Sequence, residues 1–138
     1  MSVLDPWLDA AAIAGSLKTP SSRLIVLLGA QSWCMKCREL RPLFEAAAHE
    51  VPQDAWLWLD LEEHAEFIGD FLPEDMPLLL VYRAGALVHA VIASQAELHD
   101  VMRGRSDSSL ANSTHIAPAA PTDLIARLAL EDWGKQSA

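Results

Sequence analysis

Apolar positions along the chain fall into two patterns, short continuous runs and helical stripes. Arg23 to Leu28 (Arg-Leu-Ile-Val-Leu-Leu) is a continuous run of strand formers. A run without alternation is what a central strand covered on both faces requires. Gly29 to Ser32 then turns the chain, with Ser32 as the expected N-cap of the next helix. From Cys34 to Glu50 the pattern becomes helical. Cys37, Leu40, Phe44 and Ala47 share one face, with Leu43 and Val51 beside it. Pro42 removes one amide donor inside this helix and predicts a kink.

The remaining elements are read from the same patterns. Pro6 to Leu17 reads as a helix, with Asp5 as N-cap, Pro6 at the first helical position, and a stripe of Leu4, Leu8, Ala11 or Ala12, and Leu17. Ala55 to Leu61 reads as a second strand and about Glu62 to Phe71 as a short acidic helix. After the loop Leu72-Pro73-Glu74-Asp75, Met76-Pro77 leads into a third strand, Leu78 to Tyr82. Arg83-Ala84-Gly85-Ala86 predicts a hairpin turn into a fourth strand, Leu87 to Ile92. Ser94 caps a helix from about Gln95 to Arg103. Strands linked by helices are expected to run parallel, and the hairpin adds an antiparallel pair. The fold class is therefore α/β, a central mixed four-stranded sheet flanked by helices.

Beyond residue 103 the pattern stops. Gly104 to Pro121 is dominated by Ser, Ala, Asn, Thr and Pro without periodicity, which reads as a flexible linker. Thr122 then caps an amphipathic helix, Asp123 to Trp133, with Ile125, Leu128, Ala129 and Trp133 on one side. This helix either docks back on the domain or covers a site or partner. The expected division is a domain at 1–103, a linker at 104–121 and a C-terminal helix and tail at 122–138.

Composition narrows the function. The 138 residues suit one domain, and 51% of them are hydrophobic. No apolar run reaches the roughly 18 residues of a spanning helix. The start, Met1 to Pro6, lacks a basic region, so no secretory signal is read and a cytoplasmic location is expected. The net charge of −9 argues against nucleic-acid binding. Charge is also uneven, because Pro42 to Tyr82 contains no Lys or Arg but many Asp and Glu. That interval reads as a solvated acidic face or as a surface for a basic protein or peptide. A monomer is expected.

The candidate chemistry lies in Ser32-Trp33-Cys34-Met35-Lys36-Cys37-Arg38, which holds both cysteines of the chain. Cysteines three apart at a helix start are neighbours. Free amides and the positive dipole end favour a thiolate at the first of them. Lys36, Arg38 and Arg41 add positive charge. The expected cycle has Cys34 attack a substrate disulfide and Cys37 resolve the mixed disulfide, with no cofactor. Two other readings stay open. One is half of a zinc site, although His49, His64, His89, His99 and His115 lack ligand spacing. The other is a pair of buried structural thiols. The histidines themselves read as solvated or core-edge residues.

Trp33-Cys34-Met35-Lys36-Cys37 after an apolar strand, Pro42 within the helix, and Met76-Pro77 before a Leu-rich strand together resemble the thioredoxin family over about residues 20 to 103. The resemblance implies the thioredoxin fold, with Cys34 as nucleophile and Cys37 as resolving thiol. It also implies a cis Met76-Pro77 peptide against the cysteine pair, offering backbone to the substrate, with Trp33 flanking the groove. Protein thiols and disulfides and a separate reductant would be the partners. Three features depart from the family. Met35-Lys36 replaces the usual Gly-Pro. Leu28 and Trp56 stand where a buried acid and its lysine partner are common, and little chain precedes the first helix to form an edge strand. A second, shorter resemblance links Asp60 to Phe71 and Ala96 to Gly104 to thioredoxin-like hydrogenase-maturation chaperones. These are acidic proteins tied to twin-arginine signal peptides, and the resemblance implies a binding or assembly factor with a vestigial or regulatory disulfide.

Overall fold

In the computed structural model, the described residues are 3–4, 9–18, 23–30, 32, 34–51, 53–64, 77–83 and 86–103. Among them β1 (Arg23–Gly29) is buried at every residue, as its unbroken apolar run predicts. It lies between β2 (Ala55–Asp60) and β3 (Leu78–Arg83), and β4 (Ala86–Ile92) pairs with β3 on the outside. β1 and β2 are parallel, in register from Leu24 opposite Ala55 to Gly29 opposite Asp60. β1 and β3 are antiparallel, which corrects the expectation that helix-linked strands all run parallel. The register supplies the reason. Gly29 ends β1 beside Asp60, the end of β2, and Leu28 pairs with Leu78 near the start of β3. The chain therefore re-enters the sheet at the end where it left, and must run back. β3 and β4 form the expected antiparallel pair, with a register shift between Val81 and Tyr82.

Three helices are described, α1 (Ala10–Leu17), α2 (Met35–Glu50) and α3 (Gln95–Met102). α1 begins later than the sequence pattern predicts. Asp9, not Asp5, occupies its N-cap position, and Ile13, Ala14 and Leu17 are buried while Ala11 and Ala12 are exposed. The alanines carried too little apolar weight to fix the buried face. α2 continues through Pro42 and buries the predicted stripe Cys37, Leu40, Phe44 and Ala47, together with Ala48. Its N-cap is Cys34 rather than Ser32. The Ser94 hydroxyl caps α3 as expected, accepting the Glu97 amide at 3.2 Å. Residues 61–64 form a turn. The rest of the predicted acidic helix, the linker and the C-terminal helix lie outside the described residues.

Two apolar layers sandwich the sheet. On one face Leu24, Val26, Leu28, Leu57, Leu59, Leu78 and Leu80 pack with Ile13 and Leu17. On the other Ile25, Leu27, Trp56, Trp58, Leu79 and Val81 pack with α2 and α3. Phe44 meets Trp56 edge-on at 5.5 Å between ring centroids, and the Trp56 indole N–H donates to the Val51 carbonyl at 2.8 Å. On the outer edge of β2, Leu4 makes a single parallel bridge to Leu57. The Leu4 amide also donates to the Trp56 carbonyl at 2.8 Å.

The end of the sheet where β1 and β2 begin is tied by a buried ion pair that the sequence did not reveal. The Asp54 carboxylate accepts from the Arg23 backbone amide at 2.9 Å and from its guanidinium at 2.8 Å and 3.2 Å. Arg23 also donates to the Val101 carbonyl at 2.9 Å, so one side chain holds β1, the approach to β2 and α3 together. Both side chains are 6% exposed. Removing one partner strands the other charge in the interior. Asp54→Ala is expected to cost about 3–5 kcal/mol, read from urea midpoints at unchanged slope. A loss under about 1 kcal/mol, the range of a solvated pair, would sink this account.

Candidate functional site

β1 delivers the chain to its carboxyl end, and α2 starts just above it. Cys34 stands at the N-cap in extended conformation (φ −102°, ψ 107°). The Cys34 amide donates to the Ala30 carbonyl at 3.0 Å, which holds the turn closed. Its Sγ accepts the Cys37 amide at 3.2 Å, the contact a capping oxygen would normally make. A sulfur in this place faces the unsatisfied amides and the positive end of α2. Cys34 and Cys37 form a disulfide, with Cα atoms 5.2 Å apart.

The two cysteines have unequal surroundings. Cys34 is 9% exposed beside Met35, which is 67% exposed, whereas Cys37 is fully buried. Cys37 Sγ receives the Ala30 amide at 3.5 Å. Beneath it lies Gly29, where an added Cβ would stand 2.8 Å from Cys37 Sγ and 3.6 Å from Pro77 Cβ. Pro77 thus borders the same position as Cys37, and its carbonyl accepts the Ala93 amide at 2.7 Å. Leu28 points to the opposite layer, among Leu59 and Leu78. Cys37 therefore rests on Gly29.

The basic residues do not all serve the pair. Lys36 and Arg38 are exposed in the first turn. Arg41 instead pairs with Glu45 at 2.8 Å and lies over the Trp58 ring, 4.8 Å from its centroid. Across the rim, the Ser32 hydroxyl donates to Glu62 at 2.7 Å. Trp33 and Met76 lie outside the described residues. No group of three or more His, Cys, Asp or Glu among the described residues is arranged to hold a metal.

Sequence patterns missed two groups beside this end of the sheet. Asp60 is 3% exposed, and its Oδ1 accepts the Glu62 amide at 2.9 Å and the Glu63 amide at 3.3 Å. His64 is also 3% exposed, and its Nδ1 accepts the Asp60 amide at 2.8 Å. Asp60 falls in the interval read as a solvated acidic face or a surface for a basic partner, and His64 among the histidines read as solvated or core-edge. The Asp ending an apolar strand, followed by His at i+4, was the one available signal. Of the other acids in that interval, Glu45, Glu50, Glu62 and Glu63 are exposed.

Gly29 has a testable consequence. Its Cys37 neighbour is held by the disulfide and by the helix, so it has little freedom to move aside. Gly29→Ala is expected to destabilise the oxidised protein by about 1–3 kcal/mol through overpacking, measured by urea unfolding. An unchanged midpoint would mean that the helix start gives way freely.

Comparisons with known proteins agree with this geometry. The thioredoxin family model matches residues 11–103. Thioredoxin H2-1 of Oryza sativa subsp. japonica is 28% identical over 95 residues, covering 68% of this chain and 69% of that protein. A thioredoxin of Echinococcus granulosus is 25% identical over 99 residues, covering 71% and 91%. Among solved structures, thioredoxin NaTrxh from Nicotiana alata superposes with a TM-score of 0.59 at 21% identity, over 70% of this chain and 83% of that one, which is a likeness of fold. With its mixed sheet, its paired Cys34 and Cys37 at a helix start, and a family match spanning most of its length, the chain belongs to the thioredoxin family and carries the features of a thiol–disulfide oxidoreductase.

Proposed function

We propose that the chain exchanges its Cys34–Cys37 dithiol and disulfide with protein substrates, Cys34 acting as nucleophile and Cys37 as resolving thiol. The observation that carries this is the Cys34 sulfur at the N-cap of α2, accepting the Cys37 amide at 3.2 Å. In the reduced protein the same amide and helix end favour the Cys34 thiolate. That thiolate attacks a substrate disulfide and releases one substrate thiolate. Cys37 loses its proton and attacks the Cys34 sulfur, which releases the second substrate thiolate and forms the Cys34–Cys37 disulfide. Two electrons pass from the protein to the substrate, and a separate dithiol reductant restores the pair.

Trp33, Met76 and Pro77 are the substrate-binding residues of this reading. Pro77 borders the Gly29 position that Cys37 Sγ also borders, and Met35 is exposed beside Cys34, which supports this reading. The exposed acids Glu45, Glu50, Glu62 and Glu63 would favour basic protein substrates. A reducing compartment such as the cytoplasm fits a pair that cycles rather than a permanent staple. The chaperone alternative gains no support from the relatives found, which are thioredoxins.

The direct assay is reduction of insulin by dithiothreitol, followed as turbidity. Wild-type protein should accelerate it, and Cys34→Ser should abolish the acceleration. Cys37→Ser should instead accumulate substrate on Cys34 as mixed disulfides, visible on non-reducing gels. No acceleration by wild type, together with an unreactive Cys34, would remove the enzymatic reading.

A further inference from the structure

α2 carries two apolar lines. One is the buried stripe of Cys37, Leu40, Phe44 and Ala47. The other faces solvent. Met35, Pro42, Leu43 and Ala46 are all exposed, Met35 to 67% and Leu43 to 38%. At about 3.6 residues per turn, Pro42, Leu43 and Ala46 return to within about a quarter turn of Met35. Leu43 stands about 12 Å along the helix axis from Met35. Among the described residues the exposed large hydrophobic side chains are Met35, Leu43 and Ile92, and two of these three share this one line.

A single exposed Leu on a surface needs no explanation, but a line of apolar residues that starts beside a reactive sulfur does. Met35 directly follows Cys34 at the mouth of α2. A protein that brings its disulfide onto Cys34 Sγ therefore lies against Met35. From that contact the line runs on along α2, beyond the residues named above as substrate-binding. Charge along it is ordered too. Glu39 is exposed within the line, between Met35 and Leu43, and Lys36 and Arg38 are exposed beside its redox end. Arg41 and Glu45 pair with each other on another side of the helix.

We propose that this line is a docking ridge for the substrate protein. An apolar segment next to the substrate disulfide lies along Met35, Pro42, Leu43 and Ala46, and a basic residue of that segment meets Glu39. The inference rests on the function proposed above and names its substrate class. A small disulfide touches Cys34 and Met35 alone, whereas a protein segment spans the roughly 12 Å to Leu43. Leu43 is therefore a specificity-determining residue remote from the sulfurs. At the near end, the unbranched thioether of Met35 adapts to differing apolar shapes. Docking adds no covalent step, and the thiol–disulfide exchange is the one already written.

The test uses two synthetic helical peptides, each with one terminal cysteine joined to nitrothiobenzoate. One carries Leu residues and a Lys along one side, and the other has Ser in place of each Leu. Attack by Cys34 on the peptide sulfur releases the coloured nitrothiobenzoate thiolate, read in stopped flow against peptide concentration. With reduced full-length wild type, the Leu peptide should reach half its limiting rate at about tenfold lower concentration than the Ser peptide. The limiting rates should agree. Leu43→Gln keeps a good helix former at this position. It should remove the tenfold advantage and leave the rates with the Ser peptide and with a small nitrobenzoate disulfide unchanged. Leu43→Met should restore the advantage. Exchanging the peptide's Lys for Glu should weaken docking, and Glu39→Lys should reverse that order. Equal half-saturation for the Leu and Ser peptides in wild type overturns the proposal without any variant. An unchanged advantage in Leu43→Gln overturns it as well, as does an equal slowing of the small disulfide, which would place the effect on Cys34 itself. A Leu43→Gln protein that speeds the small disulfide, or that sediments differently from wild type, would show the ridge covered by another part of this chain or by a second copy. Either result also overturns the proposal. A wild type inert toward the small disulfide would instead overturn the proposed function.

Discussion

The site depends on how closely α2 approaches the carboxyl end of β1. Cys37 Sγ occupies the space that a side chain at Gly29 would need, 2.8 Å from where its Cβ would stand. No left-handed backbone is involved, so the glycine is required for the approach and not for a turn. That approach buries Cys37, places Cys34 at the helix mouth, and brings Pro77 to the pair from the neighbouring strand. The two sulfurs are consequently unequal. One sits among helix amides at the surface, and the other sits inside an apolar layer.

Opposite ends of the sheet carry different tasks. At the amino ends of β1 and β2, Arg23 and Asp54 are buried, multiply hydrogen-bonded, and anchored to α3 through Val101. At the carboxyl ends are the disulfide, Pro77, Asp60 and His64. The apolar layers on both faces of β1 join the two ends, so the charged anchor stays remote from the redox pair. Within a protein of net charge −9, the first turn of α2 is a local exception, with Lys36 and Arg38 exposed and Cys34 beside them.

Much of this architecture was legible in the sequence because period and burial agree. The unbroken run of β1 announces a strand covered on both faces, and the stripe from Cys37 to Ala47 announces the buried side of α2. The spacing of Cys34 and Cys37 at a helix start announces the chemistry. What was not legible depends on contacts between distant positions. Arg23 and Asp54 are separated by 31 residues, and neither looks different from a surface charge. Asp60 reads as part of an acidic face or partner surface, and His64 as solvated or core-edge, until the folded chain buries both. The direction of β3 is set by where the chain re-enters the sheet, which local pattern does not record. The true start of α1 was hidden by alanines that suit either face. Trp33 and Met76, named from resemblance, lie outside the described residues.

The central claim is that Cys34 and Cys37 form a redox pair whose members ionise differently. Thiolate absorbance of the reduced protein, recorded against pH alongside Cys34→Ser and Cys37→Ser, tests it most directly. The account predicts that Cys34 ionises below the free-cysteine value of about 8.5 and Cys37 above it. Two thiols that both ionise at or above that value would contradict it.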